Sequence, residues 1–219
     1  MNYINFHCHK PDSCNKGYGV YSLNVNDIVD EQVPENASIG IHPWQCKHPD
    51  VNDWLKQMDF LVQSPNVLAI GEIGLDRLRS GNIDLQTQIM LSQVEIAKNV
   101  NKPIIIHCVR AWSELIKALS KPDFQTVKKA IHGFRGKADI AKQLINQNYY
   151  ISFGSILVDP TPELAESLTM VPLNRLFFET DASEMPIGEV YSAASDILDI
   201  SVEELLQQTE RNFAEFFNK

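Results

Sequence analysis

Eight short runs of near-continuous aliphatic and aromatic residues punctuate the chain, at 3–8, 19–25, 37–42, 67–72, 103–107, 128–132, 149–153 and 175–180. They do not alternate apolar with polar as a half-exposed strand does; stretches such as IIIH and RLFFET are apolar at successive positions. Runs of that kind suit parallel strands covered on both faces. Between them, apolar residues recur with the helical period at 51–63, 84–99, 112–119, 138–146 and 162–170, and two further helical segments follow at 188–198 and 202–217. The last of these opens SVEE, a capping box with Ser201 as N-cap and Glu204 at the third helical position. Eight strands alternating with helices predict an α/β fold, a TIM-type (β/α)8 barrel forming one domain over residues 1–219. The connections at 10–18 and 26–36 are too short for full crossover helices, so one side of the barrel is expected to be trimmed.

Composition narrows the function. The chain has 219 residues, 44% hydrophobic, with a formal charge of −9. Such an acidic protein is unsuited to loose, sequence-independent adhesion to nucleic acid, although a nucleic-acid substrate held at a metal site stays open. No secretory leader pattern and no long apolar run is found, which points to a cytoplasmic protein without a membrane partner. Cys8, Cys14, Cys46 and Cys108 form no CxxC and are expected to be reduced thiols, with Cys8 and Cys108 acting as small core hydrophobes.

The ends of the strand-like runs carry the chemistry. His7 and His9 are two residues apart, so on a strand both imidazoles face the same way. Glu72, His107, His132 and Asp181 arrive one per run, each at its end or just past it. In barrels of this class the carboxyl ends of the strands form the reactive rim. Four imidazoles and two carboxylates suit Zn²⁺, Mn²⁺, Fe²⁺ or Co²⁺ better than Ca²⁺ or Mg²⁺. Six ligands exceed the needs of one tetrahedral ion and fit two, about 3.5–4 Å apart. His42 in GIHPW should reach the same rim as a phosphate contact or proton donor. Asp76 can steady a ligand or cap a loop, Glu179 can share the face of Asp181 or make a rim ion pair, and His48 should face solvent. Arg77, Arg79, Arg110 and Arg135, with Lys10, Lys16, Lys47 and Lys137, follow strand ends and predict a phosphate- or carboxylate-bearing substrate.

Taken in order, FHCH, GIHPW, AIGEIGLD, KPIIIHC, IHGFRG and FFETDAS resemble the TatD family of metal-dependent hydrolases, and TERNFAEFF is similar to that family's closing helix. The resemblance implies that His7, His9, Glu72, His107, His132 and Asp181 are metal ligands. It implies one ion on His7, His9 and Asp181, a second on His107 and His132, and Glu72 between them. The chain departs from the pattern in having Asn5 where Asp is usual, Ala-Ser rather than Ala-Pro after Asp181, and no Arg-Asn-x-Pro stretch beyond it. These changes touch substrate choice and leave every ligand in place.

The expected activity is therefore hydrolysis of phosphodiester bonds by a deoxyribonuclease working from 3′ ends, with two divalent ions. Asp181, Glu72 and His42 are the expected catalytic groups. His42, Arg77, Arg110 and Arg135 are expected to hold a DNA or other phosphoester substrate, and a monomer is favoured. An ester or amide hydrolase, such as a D-aminoacyl-tRNA deacylase, is the alternative. A metal-binding partner protein without catalysis is a third reading.

Overall fold

The computed structural model describes residues 2–10, 18–30, 32–79 and 82–219. Eight strands lie among them: β1 (Asn5–Cys8), β2 (Gly19–Asn24), β3 (Ala37–Gly40), β4 (Val67–Asp76), β5 (Ile104–Val109), β6 (Lys129–Ile131), β7 (Tyr149–Phe153) and β8 (Leu176–Phe178). Seven α-helices accompany them: α1 (Val51–Leu61), α2 (Ile83–Asn99), α3 (Trp112–Leu119), α4 (Ala138–Ile145), α5 (Pro162–Thr169), α6 (Ile187–Leu198) and α7 (Val202–Phe217). Helix ends agree with the hydrophobic pattern to within two residues, and Ser201 caps α7 by accepting from the Glu204 N–H. The connection at 26–36 holds no α-helix among its described residues, only the end of a 3-10 turn at Val25–Asp27. Most of the connection at 10–18, with Cys14 and Lys16, lies outside the described residues. Among those described, no helix is long and apolar enough to cross a membrane.

One strand boundary differs from the sequence pattern by more than two residues. The fourth strand does not end at Glu72 but runs on to Asp76. Its last four residues pair with Ile106–Val109 of β5, so tertiary pairing extends a run whose apolar pattern GEIGLD leaves ambiguous.

Contacts divide the chain into two compact units, one of Met1–Tyr21 with Ala130–Lys219 and one of Ser22–Lys129. In the first unit, parallel β7 pairs with β8 and β1 with β2. The chain's first and last strands are also joined: Cys8 and Asp181 form a parallel bridge, and Asp181 N–H donates to the His7 carbonyl at 3.0 Å. Asn5 locks the same seam, its amide donating to Thr180 Oγ1 at 2.8 Å while its oxygen accepts from Thr180 N–H at 2.9 Å. An open sheet would leave its first and last strands apart; here they are neighbours. Beneath them Phe6 stacks on Phe177 at 4.2 Å, and Phe216 of α7 meets Phe6 edge-on at 5.6 Å. Leu205, Thr209, Asn212 and Phe216 form the buried stripe of α7 at helical spacing. Truncating Phe216 to Ala should cost about 3–5 kcal/mol, because a fully enclosed ring leaves a cavity.

In the second unit β3, β4 and β5 are hydrogen-bonded in sequence order and parallel. All ten residues of β4 are buried. Two buried glutamines of α2, one heptad apart, serve as substitute strand partners. Gln93 accepts from Ile41 N–H at 2.7 Å and donates to its carbonyl at 3.1 Å. Gln86 does the same for Asp76, at 2.7 and 3.0 Å. Each amide thereby satisfies both backbone groups of a residue where the sheet ladder runs out. At the other end of these strands Lys102 and Lys129 each clamp two backbone carbonyls at 2.6 and 2.8 Å.

Candidate metal centre

In the first unit the seam between β1 and β8 brings four of the expected ligands together. His7 lies inside β1, His9 follows it, His132 follows β6, and Asp181 stands just past β8 at a left-handed φ of 54°. Asp tolerates that region better than most residues, and at φ > 0 its side chain leaves the strand line. His7 Nε2 and His9 Nε2 are 3.2 Å apart, with Asp181 Oδ1 at 3.3 Å from His9 Nε2 and 3.9 Å from His7 Nε2. Ligands held tetrahedrally at about 2.1 Å from one ion are about 3.4 Å from each other. The three atoms therefore stand at the spacing of a shared ion. His132 stacks on His7 at 4.1 Å, and His7, His132 and Asp181 also form a group able to hold an ion.

Glu179 orients His132. Its Oε1 lies 3.1 Å from His132 Nδ1, which places the ring proton there and leaves Nε2 as the ligand atom. The carboxylate is wholly buried, and its Oε2 has no hydrogen-bond partner. Glu179 lines a cavity of about 220 Å³ together with Arg135, Ser155, Asp181 and Ser183. The sequence placed Glu179 near Asp181 without deciding its role; its pairing with His132 spans 47 residues and leaves no local signal.

The second unit groups His42, Glu72 and His107, whose ligand atoms also lie within metal-binding reach of one another. His107 Nδ1 is 2.7 Å and His42 Nε2 3.2 Å from Glu72 Oε1. His42 Nδ1 accepts from Trp44 N–H at 3.2 Å, so a neutral His42 carries its proton on Nε2, facing Glu72. That tautomer suits a proton donor better than a ligand. Gly74, at φ 143°, sets the approach of β4 to β5: an added Cβ would stand 2.0 Å from the His107 carbonyl oxygen, so no other residue lets His107 sit where it does.

Asp76 steadies this group from below. Its Oδ2 accepts from Trp44 Nε1–H at 2.6 Å and lies 3.4 Å from His107 Nε2, while Oδ1 accepts from Leu78 N–H at 2.8 Å. Burial pushes the Asp76 carboxyl up, but the Trp44 and Leu78 donors and His107 outweigh it and hold it below the ordinary carboxylate value. Trp44, Gln86 and Gln93 were not singled out from the sequence. The two glutamines carried a signal all the same, since polar residues one heptad apart on the inner face of α2 need partners there.

The remaining expected residues fall as follows. Arg77 donates to the Arg110 carbonyl at 2.9 Å and pairs with Glu114, so its guanidinium is engaged within the protein. Arg110 is exposed just after β5, at φ 52°. Arg135 lines the first unit's cavity. Lys10 pairs with Glu184 at 2.7 Å. His48 is half exposed and stacks on Trp54 at 4.2 Å. Cys46 and Cys108 are free, and burial pushes both thiols up to about 12, which suits inert core groups. Cys8 corrects the expectation of four reduced thiols, because it is disulfide-bonded.

The chain is similar to several known proteins. The family model described as TatD related DNase matches residues 22–218. YcfH of Escherichia coli K12, described as an uncharacterized metal-dependent hydrolase, is 28% identical over 212 residues, covering 90% of this chain and 78% of its own. YabD of Bacillus subtilis, described in the same words, is 32% identical over 159 residues, 71% of this chain and 61% of its own. Among solved structures, the TatD homolog YjjV of Escherichia coli K12 superposes with a TM-score of 0.82 at 22% identity, covering 99% of this chain and 98% of its own. That likeness shows the fold expected from the sequence, the TIM-type (β/α)8 barrel.

Proposed function

Because the chain belongs to the TatD family of metal-dependent hydrolases, we propose that it hydrolyses phosphodiester bonds in DNA, acting from 3′ ends on single strands. The observation that carries this reading is the imidazole–carboxylate groups around His7, His132 and Asp181 and around His42, Glu72 and His107, within a chain whose family model is described as TatD related DNase. His132, which the resemblance implied for the second ion, is grouped with His7 and Asp181, so His7, His132 and Asp181, with His9, would hold one divalent ion, and Glu72 with His107 a second.

When bound, such ions supply an activated water near neutral pH and positive charge for the phosphoryl oxygen. The chain's own residues do the rest. The Asp181 carboxylate, 45% exposed, would orient the attacking water and accept its proton on the oxygen that does not hold the ion. Glu179 keeps the His132 ring in one tautomer. His42, with its proton on Nε2, is placed to donate to the leaving oxygen. Arg135, which lines the first unit's cavity, would bring guanidinium charge to the phosphate.

The test is a substrate panel. Protein stripped with chelator and reloaded with Zn²⁺ or Mn²⁺ should release mononucleotides from the 3′ end of single-stranded DNA, and chelator should abolish release. Deacylation of D-aminoacyl-tRNA without any cleavage of DNA would replace this reading with the ester-hydrolase alternative, which uses the same groups on a carbonyl.

A further inference from the structure

Trp44 is held more firmly than its exposure requires. Nearly half of the residue, 48%, faces solvent. Its indole N–H is nevertheless fixed on Asp76 at 2.6 Å, and its backbone N–H on His42 Nδ1 at 3.2 Å. The ring stands edge-on to His42 at 4.6 Å and to His107 at 6.2 Å. The Arg79 guanidinium lies over the indole face, 4.3 Å from the ring centroid. Arg77, two residues earlier, is engaged with Glu114, whereas Arg79 makes no ion pair among the described residues.

A tryptophan kept only for packing turns its face inward, and one with no task at the surface is not tethered at both its indole and its backbone. An aromatic face fixed in advance loses little freedom when a planar ligand stacks on it. Its position adds direction. Asp76 holds the Trp44 indole through Oδ2 and touches His107 with the same atom, so the ring is referenced to the candidate ligand group. A ligand that uses an aromatic face, a guanidinium and a hydrolytic centre at one sugar's remove is a nucleotide within a strand. The cation matters in a protein of net charge −9, which otherwise repels a polyanion.

We propose that Trp44 and Arg79 form a stacking platform for one base of single-stranded nucleic acid, seating the nucleotide whose phosphodiester meets His42, Glu72 and His107. The proposal rests on the phosphodiesterase reading for the bond that is cleaved, but not for the binding itself. Every base has a π-face, so the platform tolerates sequence while it selects base-bearing strands over bare backbone.

Two oligonucleotides of equal length test it, one of thymidylate and one abasic throughout, with dissociation constants measured in chelator and kcat/KM measured with Mn²⁺. The wild type should prefer the thymidylate strand, and its binding should quench tryptophan fluorescence. Trp44→Leu should lower the preference about tenfold, as expected for one lost base–aromatic stack. Arg79→Ala should lower it in the same direction, and Trp44→Phe should keep most of it, because the face remains without the indole N–H. Reading the ratio removes any effect that Trp44 has on the ligand group through Asp76, since that effect falls on both strands alike. Equal losses on both strands, or an unchanged ratio in Trp44→Leu, would overturn the platform. If a Trp44-dependent preference is found but neither strand is cleaved, the platform stands and the phosphodiesterase reading fails. If both strands are cleaved with equal kcat/KM, the reading stands and the platform fails.

Discussion

The two units fix their candidate ligands by opposite means. In the unit of Met1–Tyr21 and Ala130–Lys219, the backbone does the work: β1 and β8 are bridged at Cys8 and Asp181, and Asn5 staples the seam. Four candidate metal-binding side chains hang from that seam or close to it. In the unit of Ser22–Lys129, side chains do the work: Gln86 and Gln93 reach from α2 to hold Asp76 and Ile41, and Asp76 in turn steadies His107. A backbone seam tolerates most substitutions, because main-chain bonds survive a change of side chain. A glutamine clamp stands or falls with one residue. The second unit should therefore be the more fragile of the two.

The largest test removes the ligands themselves. Asp181→Ala and His107→Ala should each lower hydrolysis roughly a thousandfold or more while leaving a folded chain by circular dichroism. Metal analysis sharpens the contrast: each variant should lose one ion and keep the other. Loss of both ions from either variant would show that the two groups do not act as separate holders.

Next comes the difference in fixing. Gln93→Leu strands the N–H and carbonyl of Ile41, which should cost about 2–4 kcal/mol. For a chain of this size that lowers Tm by roughly 5–15 °C, measured by calorimetry. Asn5→Asp keeps an acceptor for Thr180 N–H, and the Thr180 hydroxyl can turn to donate, so its Tm should move by less than about 2 °C. A drop in Asn5→Asp as large as in Gln93→Leu would break the contrast. Glu179→Gln is gentler than ligand removal; by loosening His132 it should weaken metal binding in the first unit about tenfold, read by chelator competition.

The smallest effect is a pH slope. Burial brings the Lys129 ammonium down from 10.5 to about 8. Between those values the unfolded chain binds more protons than the folded one, so this residue makes stability rise with pH across that window. The gain is at most about 3 kcal/mol, and the two carbonyl acceptors, which favour the charged form, reduce it. Lys129→Met should flatten the rise from pH 8 to 10.5 in denaturant titrations; an unchanged slope would show that Lys129 stays charged in the fold.

What could be read from the chain follows from range. Periodicity is local, so the helices and strands were legible nearly to their ends. The candidate ligands His7, His9, Glu72, His107, His132 and Asp181 were visible together, as six metal-type residues closing apolar runs, although any one of them alone has an ordinary structural use. The supporting contacts were hidden. Glu179 on His132, Trp44 on Asp76 and Gln93 on Ile41 join residues 47, 32 and 52 positions apart. No pattern along the chain encodes such distances. The continuation of β4 past Glu72 was hidden for the same reason, because pairing with β5 decides it.

The seam at Asn5 and Thr180 has a temporal meaning as well. Residues 175 positions apart meet there, whereas the other unit is one uninterrupted stretch, Ser22–Lys129. As the polypeptide leaves the ribosome, that stretch is complete while the opening strand still waits for its partner. The first group of candidate ligands is thus incomplete until Asp181 has been made, and a truncated product ending before β8 would keep His42, Glu72 and His107 but lack Asp181.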